Sequence, residues 1–387
     1  MLVTNLLIEI EKPITISKKL GIYMVNPKHI GQDTYNFLKN KILKAIDELN
    51  DQGQYSISIS DLINDSSIRN ILEIEKNISH ENFIDSIINK LCLLEMKDEN
   101  TTFLNEVNYN IFTINEINFE FKFLKLFQFY DSCNINKIYS SNNPLDVSSL
   151  ILNLYFNKRD FYYNGRIAYF YYLEYRLKRL KDFGKIIDKT LSSFNDLYTL
   201  DYIGDLLIES QGSSKLAIIS YASIIELFLI NPHNSIRNQF SKKLKMFIKN
   251  NEMTESELND LGKLLYDVRS SLAHGNVKAL NKDLNKYSKV YNKNYNYDLT
   301  EFKRESWDLI SISLLYYNIV KNILKFYFSD KKLLYKIKYD NDIFVKNKQK
   351  EPKIIGIVRD FKNSYERCLI SDDDYNNIVN QINQLIK

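Results

Sequence analysis

The chain has 387 residues, 44% of them hydrophobic, which is enough to bury a core and sets a prior of two or three domains. Lysine and arginine number 52 against 48 acidic residues, a formal net charge of +4, so a nucleic-acid surface has to be local and is not a property of the whole chain. The cysteines, Cys92, Cys133 and Cys368, are odd in number and far apart with no C-x-x-C pair, which speaks against a disulfide framework and a structural zinc site and fits a reducing, cytoplasmic setting.

The opening MLVTNLLIEIEK has no basic stretch and meets Glu9 and Glu11 early, so it does not read as a signal peptide. Residues 1–150 read as a mixed α/β region. Period-two alternation predicts strands at QYSISIS (54–60) and INFEFKF (117–123), and spacing of three and four predicts a helix over 80–97 through Phe83, Ile87, Leu91 and Leu94. The Asn-, Ser- and Asp-rich stretch 131–146 suits a linker.

From residue 151 the pattern turns helical, with a connector over 151–200 that includes the aromatic and basic helix 163–191. Helices are then expected over 214–230, capped by Ser213 or Ser214; over the basic stretch 234–250; over 254–275, with Thr254 and Glu257 at capping-box spacing and Gly275 as the stop; and over 299–328. Together they make a helix bundle over 201–330. The tract 309–328 is interrupted by Asn318, Lys321, Asn322 and Lys325, which suits a buried helix face and not a membrane span. A small extension, 331–387, mixes a strand-like KIIGIVRD (353–360) with a terminal helix capped at Ser371. The fold class is therefore α+β, mostly α.

Along the helix 254–275, at 100° per residue, Leu261, Leu264, Leu265, Val268 and Leu272 form the core stripe. Arg269 falls about 80° from its centre, and Ser270 and His274 about 180° and 140° away, four residues apart and so neighbours on the outer surface. On these grounds alone three ordinary readings stand: a histidine favouring the helix dipole, an arginine paired with Asp267 or Glu226, or two unrelated surface residues.

RSSLAHGN (269–276) resembles the arginine–x4–histidine signature of the HEPN superfamily, especially its Apea-like form. IIELF (224–228), an apolar helix carrying the acidic Glu226, precedes it as in that family, and the resemblance covers roughly 200–330. It implies an all-α bundle acting as a metal-independent endoribonuclease without cofactor, as a homodimer in which two motifs meet in a composite site. Arg269 and His274 would be catalytic, with Ser270, Asn276 and Glu226 supporting. Ser270 departs from the Asn, Asp or His common after the arginine. Asn276 stands where toxins controlled by a nucleotidyltransferase carry a tyrosine, which leaves residues 1–150 to sense a phage or host protein trigger.

If RNA is the substrate, Lys242, Lys243 and Lys245 on one helix, and Lys286 and Lys289 with Tyr287 and Tyr291 in an expected loop 276–298, are the candidate RNA-binding residues. Compositional bias toward lysine and tyrosine explains the same residues without RNA. Rival readings are a non-catalytic HEPN module that binds RNA or protein, and a plain helical interaction protein. No phosphate-binding glycine loop, HExxH or nucleophile elbow is found, and the i,i+4 pair Asp201 and Asp205 reads as a solvated helix face.

Overall fold

The structure, a computed structural model, describes residues 2–51, 57–96, 116–131, 151, 165–248, 253–291 and 301–339. The chain divides into two compact units, Met1–Gly204 and Asp205–Lys387. The fold is α+β and mostly α, with one small antiparallel sheet.

In the first unit β1 (Leu2–Leu7), β2 (Ile14–Ser17), β3 (Ile22–Val25) and β4 (Leu91–Met96) pair in the order β1-β4-β3-β2. Leu91, Cys92, Leu93 and Leu94 are buried in succession, the pattern of a strand covered on both faces. Burial pushes the Cys92 thiol up to about 12. Around the sheet lie α1 (Gln32–Asp51), α2 (Ile59–Asn64), α3 (Ser66–Leu72), α4 (His80–Lys90), α5 (Glu116–Asp131) and α6 (Gly165–Thr190), and α7 (Phe194–Glu209) crosses the division between the units. The fully buried Asn26 stitches the strand ends together: its Oδ1 accepts from Ile10 N at 2.6 Å, and its Nδ2 donates to the carbonyls of Ile8 at 3.0 Å and Leu91 at 2.9 Å. Asp188 of α6 fixes the turn after β2, accepting from Ser17 Oγ at 2.5 Å and from the amides of Lys18 at 2.9 Å and Lys19 at 3.1 Å.

Several expected elements differ here. INFEFKF is part of helix α5, with Phe119, Phe123, Leu124, Phe127 and Phe129 in the core. A short aromatic run satisfies period two and helical spacing alike, and packing decides between them. The helix expected over 80–97 stops at Lys90, and its apolar tail becomes β4. Ser58, expected inside a strand, caps α2 in a reciprocal box with Asp61. The linker after Asp131, KIIGIVRD and the helix start at Ser371 lie outside the described residues, as do Cys133 and Cys368. Asp201 is not simply solvated, since Lys122 Nζ pairs with it at 2.7 Å.

The second unit contains α8 (Ser214–Leu229), α9 (Ile236–Leu244), α10 (Glu255–Ala273), α11 (Val277–Tyr291) and α12 (Glu301–Tyr339). Ser213 caps α8, and Thr254 with Glu257 forms the capping box of α10. The expected loop 276–298 is largely helix α11, with Leu280, Leu284 and Tyr287 buried at i, i+4 and i+7. The rings of Phe228 and Tyr327 lie 4.8 Å apart where α8 packs on α12. Helix α12 runs eleven residues beyond the expected end at Phe328, breaking at Asp330 (φ −146°, ψ 77°). The Asp330 carboxylate accepts from Leu333 N at 3.0 Å and so caps the segment that follows. Among the described residues no helix is long and apolar enough to cross a membrane.

One contact tests the first unit. A Cβ at Gly184 of α6 would sit 1.7 Å from the Ile16 carbonyl oxygen of β2, so backbone would have to move. Gly184→Ala is expected to lower the unfolding free energy by about 2–3 kcal/mol, measured by urea denaturation.

Candidate functional site

Helix α10 ends in a Schellman motif. The amide of Gly275 donates to Leu272 O at 3.2 Å and that of Asn276 to Ser271 O at 2.9 Å, with Gly275 at φ +64°. His274 is the last residue before that left-handed turn, its own amide donating to Ser270 O at 3.0 Å, and its side chain is exposed. Asn276 is at once the closing residue of the motif and the cap of α11, its Oδ1 accepting from Ala279 N at 3.1 Å. The Asn276 side chain therefore holds a helix start.

The core stripe of α10 follows the helical arithmetic through Leu261, Leu264, Leu265 and Val268, all buried. In the last turn Ser271 is the buried residue and Leu272 only half-buried, because α11 folds back along that side. Ser270 is half-buried one turn before His274.

Arg269 reaches α8, where its Nη2 donates to Glu226 Oε2 at 2.9 Å. The alternative partner, Asp267, is occupied by Arg237, which donates to its two oxygens from Nε at 2.7 Å and Nη2 at 2.6 Å. The Arg269–Glu226 contact uses one oxygen and one guanidinium nitrogen, and the buried Arg269 Nε and Glu226 Oε1 have no protein partner. Burial raises the Glu226 carboxyl above its ordinary range while the Arg269 charge pulls it down. Close to this pair lies Tyr316, fully buried on α12, whose hydroxyl donates to Leu265 O at 2.9 Å. The helical tract 299–328 holds Tyr316 within its apolar face, where nothing in the sequence marks it.

The basic and aromatic candidates divide. Lys242, Lys286 and Lys289 are exposed. Lys245 is half-buried and paired with Glu255. Lys243 is only 2% exposed, so it is not a surface RNA contact. Its Nζ donates to Leu229 O at 2.8 Å, Gln239 Oε1 at 3.1 Å and Lys338 O at 2.7 Å. An ammonium has three donors, and carbonyls at two helix ends need them. Tyr287 is likewise a core residue at 5% exposure, its hydroxyl in a hydrogen bond with Ser311 Oγ at 2.9 Å. Tyr291 is half-buried, its ring 5.6 Å from that of Tyr287 and its hydroxyl donating to Glu257 O at 3.3 Å.

Among the described residues no group of three or more His, Cys, Asp or Glu side chains is placed to hold a metal. Comparison of the chain with protein-family models, with curated proteins and with solved structures finds no match.

Two measurements test these assignments. Lys243→Ala is expected to cost about 2–3 kcal/mol of stability by orphaning buried carbonyls, whereas the exposed Lys242→Ala stays within about 0.5 kcal/mol. A carboxyl whose folded pKa lies above its unfolded value stabilises fully below the unfolded value and loses that contribution as pH rises through the folded one. Stability of the wild type is therefore expected to fall as pH rises above 4.5, the ordinary value for Glu226, and Glu226→Gln is expected to flatten that fall in denaturation midpoints across pH.

Proposed function

We propose that the chain is a metal-independent endoribonuclease of the HEPN type, acting on RNA through Arg269 and His274. The observation that carries this reading is the division of labour at the end of α10: Arg269 is anchored at one edge by Glu226, and His274, five residues on, is exposed at a rigid corner. RNA carries its own nucleophile in the 2′-hydroxyl. A neutral imidazole removes that proton, the 2′ oxygen attacks phosphorus, and the O5′ bond breaks to leave a 2′,3′-cyclic phosphate and a 5′-hydroxyl. The equivalent imidazole of a second copy returns a proton to O5′, so the working unit is a homodimer with a composite site. As charge builds on the non-bridging oxygens, the arms of the guanidinium not engaged by Glu226 donate to them. Lys242, Lys286 and Lys289 are the exposed cations for neighbouring phosphates.

Ser270 and Asn276 support this centre by backbone geometry: the Ser270 carbonyl accepts the His274 amide, and Asn276 closes the corner. Anti-phage abortive infection or toxin action is the biological setting we infer by analogy with the family, with residues 1–150 receiving a phage or host trigger. One observation favours the rival, a HEPN-type module that binds RNA without cutting it: Glu226 already neutralises part of the charge Arg269 would offer a phosphate.

The decisive experiment incubates wild type and His274→Ala with total RNA in EDTA. The wild type is expected to leave cyclic phosphate ends, and the variant to lose about 10²–10⁴-fold of the rate with an unchanged unfolding midpoint, since the side chain is exposed. Equal RNA binding without cleavage by either protein supports the rival.

A further inference from the structure

We infer that the exposed face of the last segment of α12 is a platform for single-stranded RNA, built from Lys332, Tyr335, Lys336 and Tyr339. Asp330 ends one helix and caps the next, so the segment after it has its own faces. Leu333, Leu334 and Ile337 point into the core, and Lys332, Tyr335, Lys336 and Tyr339, at i, i+3, i+4 and i+7, share the outer side. Tyr335 is 64% and Tyr339 46% exposed, large apolar surfaces for residues in regular helix. Their ring centroids lie 4.7 Å apart with planes inclined by 46°, and Lys338 Nζ sits over the Tyr339 ring at 5.5 Å from its centroid, so Tyr335 offers the larger share of open aromatic surface. From Lys331 to Tyr339 the segment carries four lysines and no acid. Among the described residues no carboxylate pairs with Lys332 or Lys336.

The chemistry of this face selects its partner. Open aromatic faces accept any base by stacking, and lysines one turn apart meet the phosphates between bases. An acidic peptide would satisfy the lysines and leave the rings without a planar partner. A duplex would hide its bases from the rings. The platform is also tied to the proposed centre, because Lys338 of the same segment donates through Nζ to Leu227 O at 2.9 Å, the residue next to Glu226 on α8. A strand lying on the tyrosines is thereby held near the turn that anchors Arg269. This inference deepens the nuclease reading by naming how the substrate strand is held, and it rests on that reading for the choice of RNA.

The test measures binding apart from cleavage. Full-length His274→Ala is titrated against a fluorescein-labelled single-stranded RNA of about twelve nucleotides, followed by anisotropy. In that background Tyr335→Ala with Tyr339→Ala is expected to raise Kd about 10–100-fold, and Tyr335→Phe to leave it nearly unchanged because the ring remains. Lys332→Glu with Lys336→Glu is expected to weaken binding and reduce the salt dependence by about two phosphate contacts. Circular dichroism checks that the exposed substitutions leave the fold intact. The inference is overturned if the tyrosine pair can be removed without change in Kd, if blunt duplex RNA binds as tightly as the single strand, or if a polyglutamate peptide binds more tightly than RNA. Failure of the wild type to cleave would sink the nuclease reading and leave this binding curve standing.

Discussion

The second unit is organised around the last turn of α8. A helix C-terminus presents unpaired carbonyls and a partial negative charge, and here it adds the carboxylate of Glu226. Cations from three other helices converge on that turn: Arg269 of α10 on Glu226, Lys338 of α12 on the Leu227 carbonyl and Lys243 of α9 on the Leu229 carbonyl. Each interaction satisfies a group that burial would otherwise leave costly. Together they hold α9, α10 and the end of α12 to one point on α8. Non-directional apolar packing brings these helices into contact, and the charged turn decides where along its length each is held.

That arrangement sets stabilising contacts beside the residues proposed for function. The charge that a phosphate would meet on Arg269 is also a structural counter-charge for Glu226. A lysine at a basic, surface-like sequence position is instead the buried cap of two helices. Positive charge near this turn is partly inward, serving carbonyls, and partly outward, on Lys242 and on the terminal segment of α12.

Features carried by local interactions were the legible ones. The capping box of Thr254 and Glu257, the Ser213 cap and the Gly275 stop depend on residues within a few positions of each other, and each is found where the spacing places it. The pairing of Arg269 with Glu226 is a tertiary contact: Asp267, two residues away on the same helix, points to a different side and is bound by Arg237, thirty residues from it in the chain. Lys243 looks like a surface lysine because burial is set by carbonyls on two remote helices. Tyr287 reads as a loop residue only until α11 forms beneath it. The small sheet was hidden for a related reason: its strands are short, and β4 continues the apolar run of α4 without a break in composition. At α5, alternation over seven residues satisfied both periods, and only the neighbouring helix and sheet choose between them.

The junction between α10 and α11 has a mechanical consequence. A single glycine separates the C-cap of one helix, His274, from the N-cap of the next, Asn276, and amides on both sides are spent in closing hydrogen bonds. Such a corner has no slack. The backbone carrying His274 is clamped from both directions, leaving the imidazole only its own two torsions to explore. A molecule that engaged His274 would therefore meet a side chain whose backbone is hydrogen-bonded on both sides of the turn.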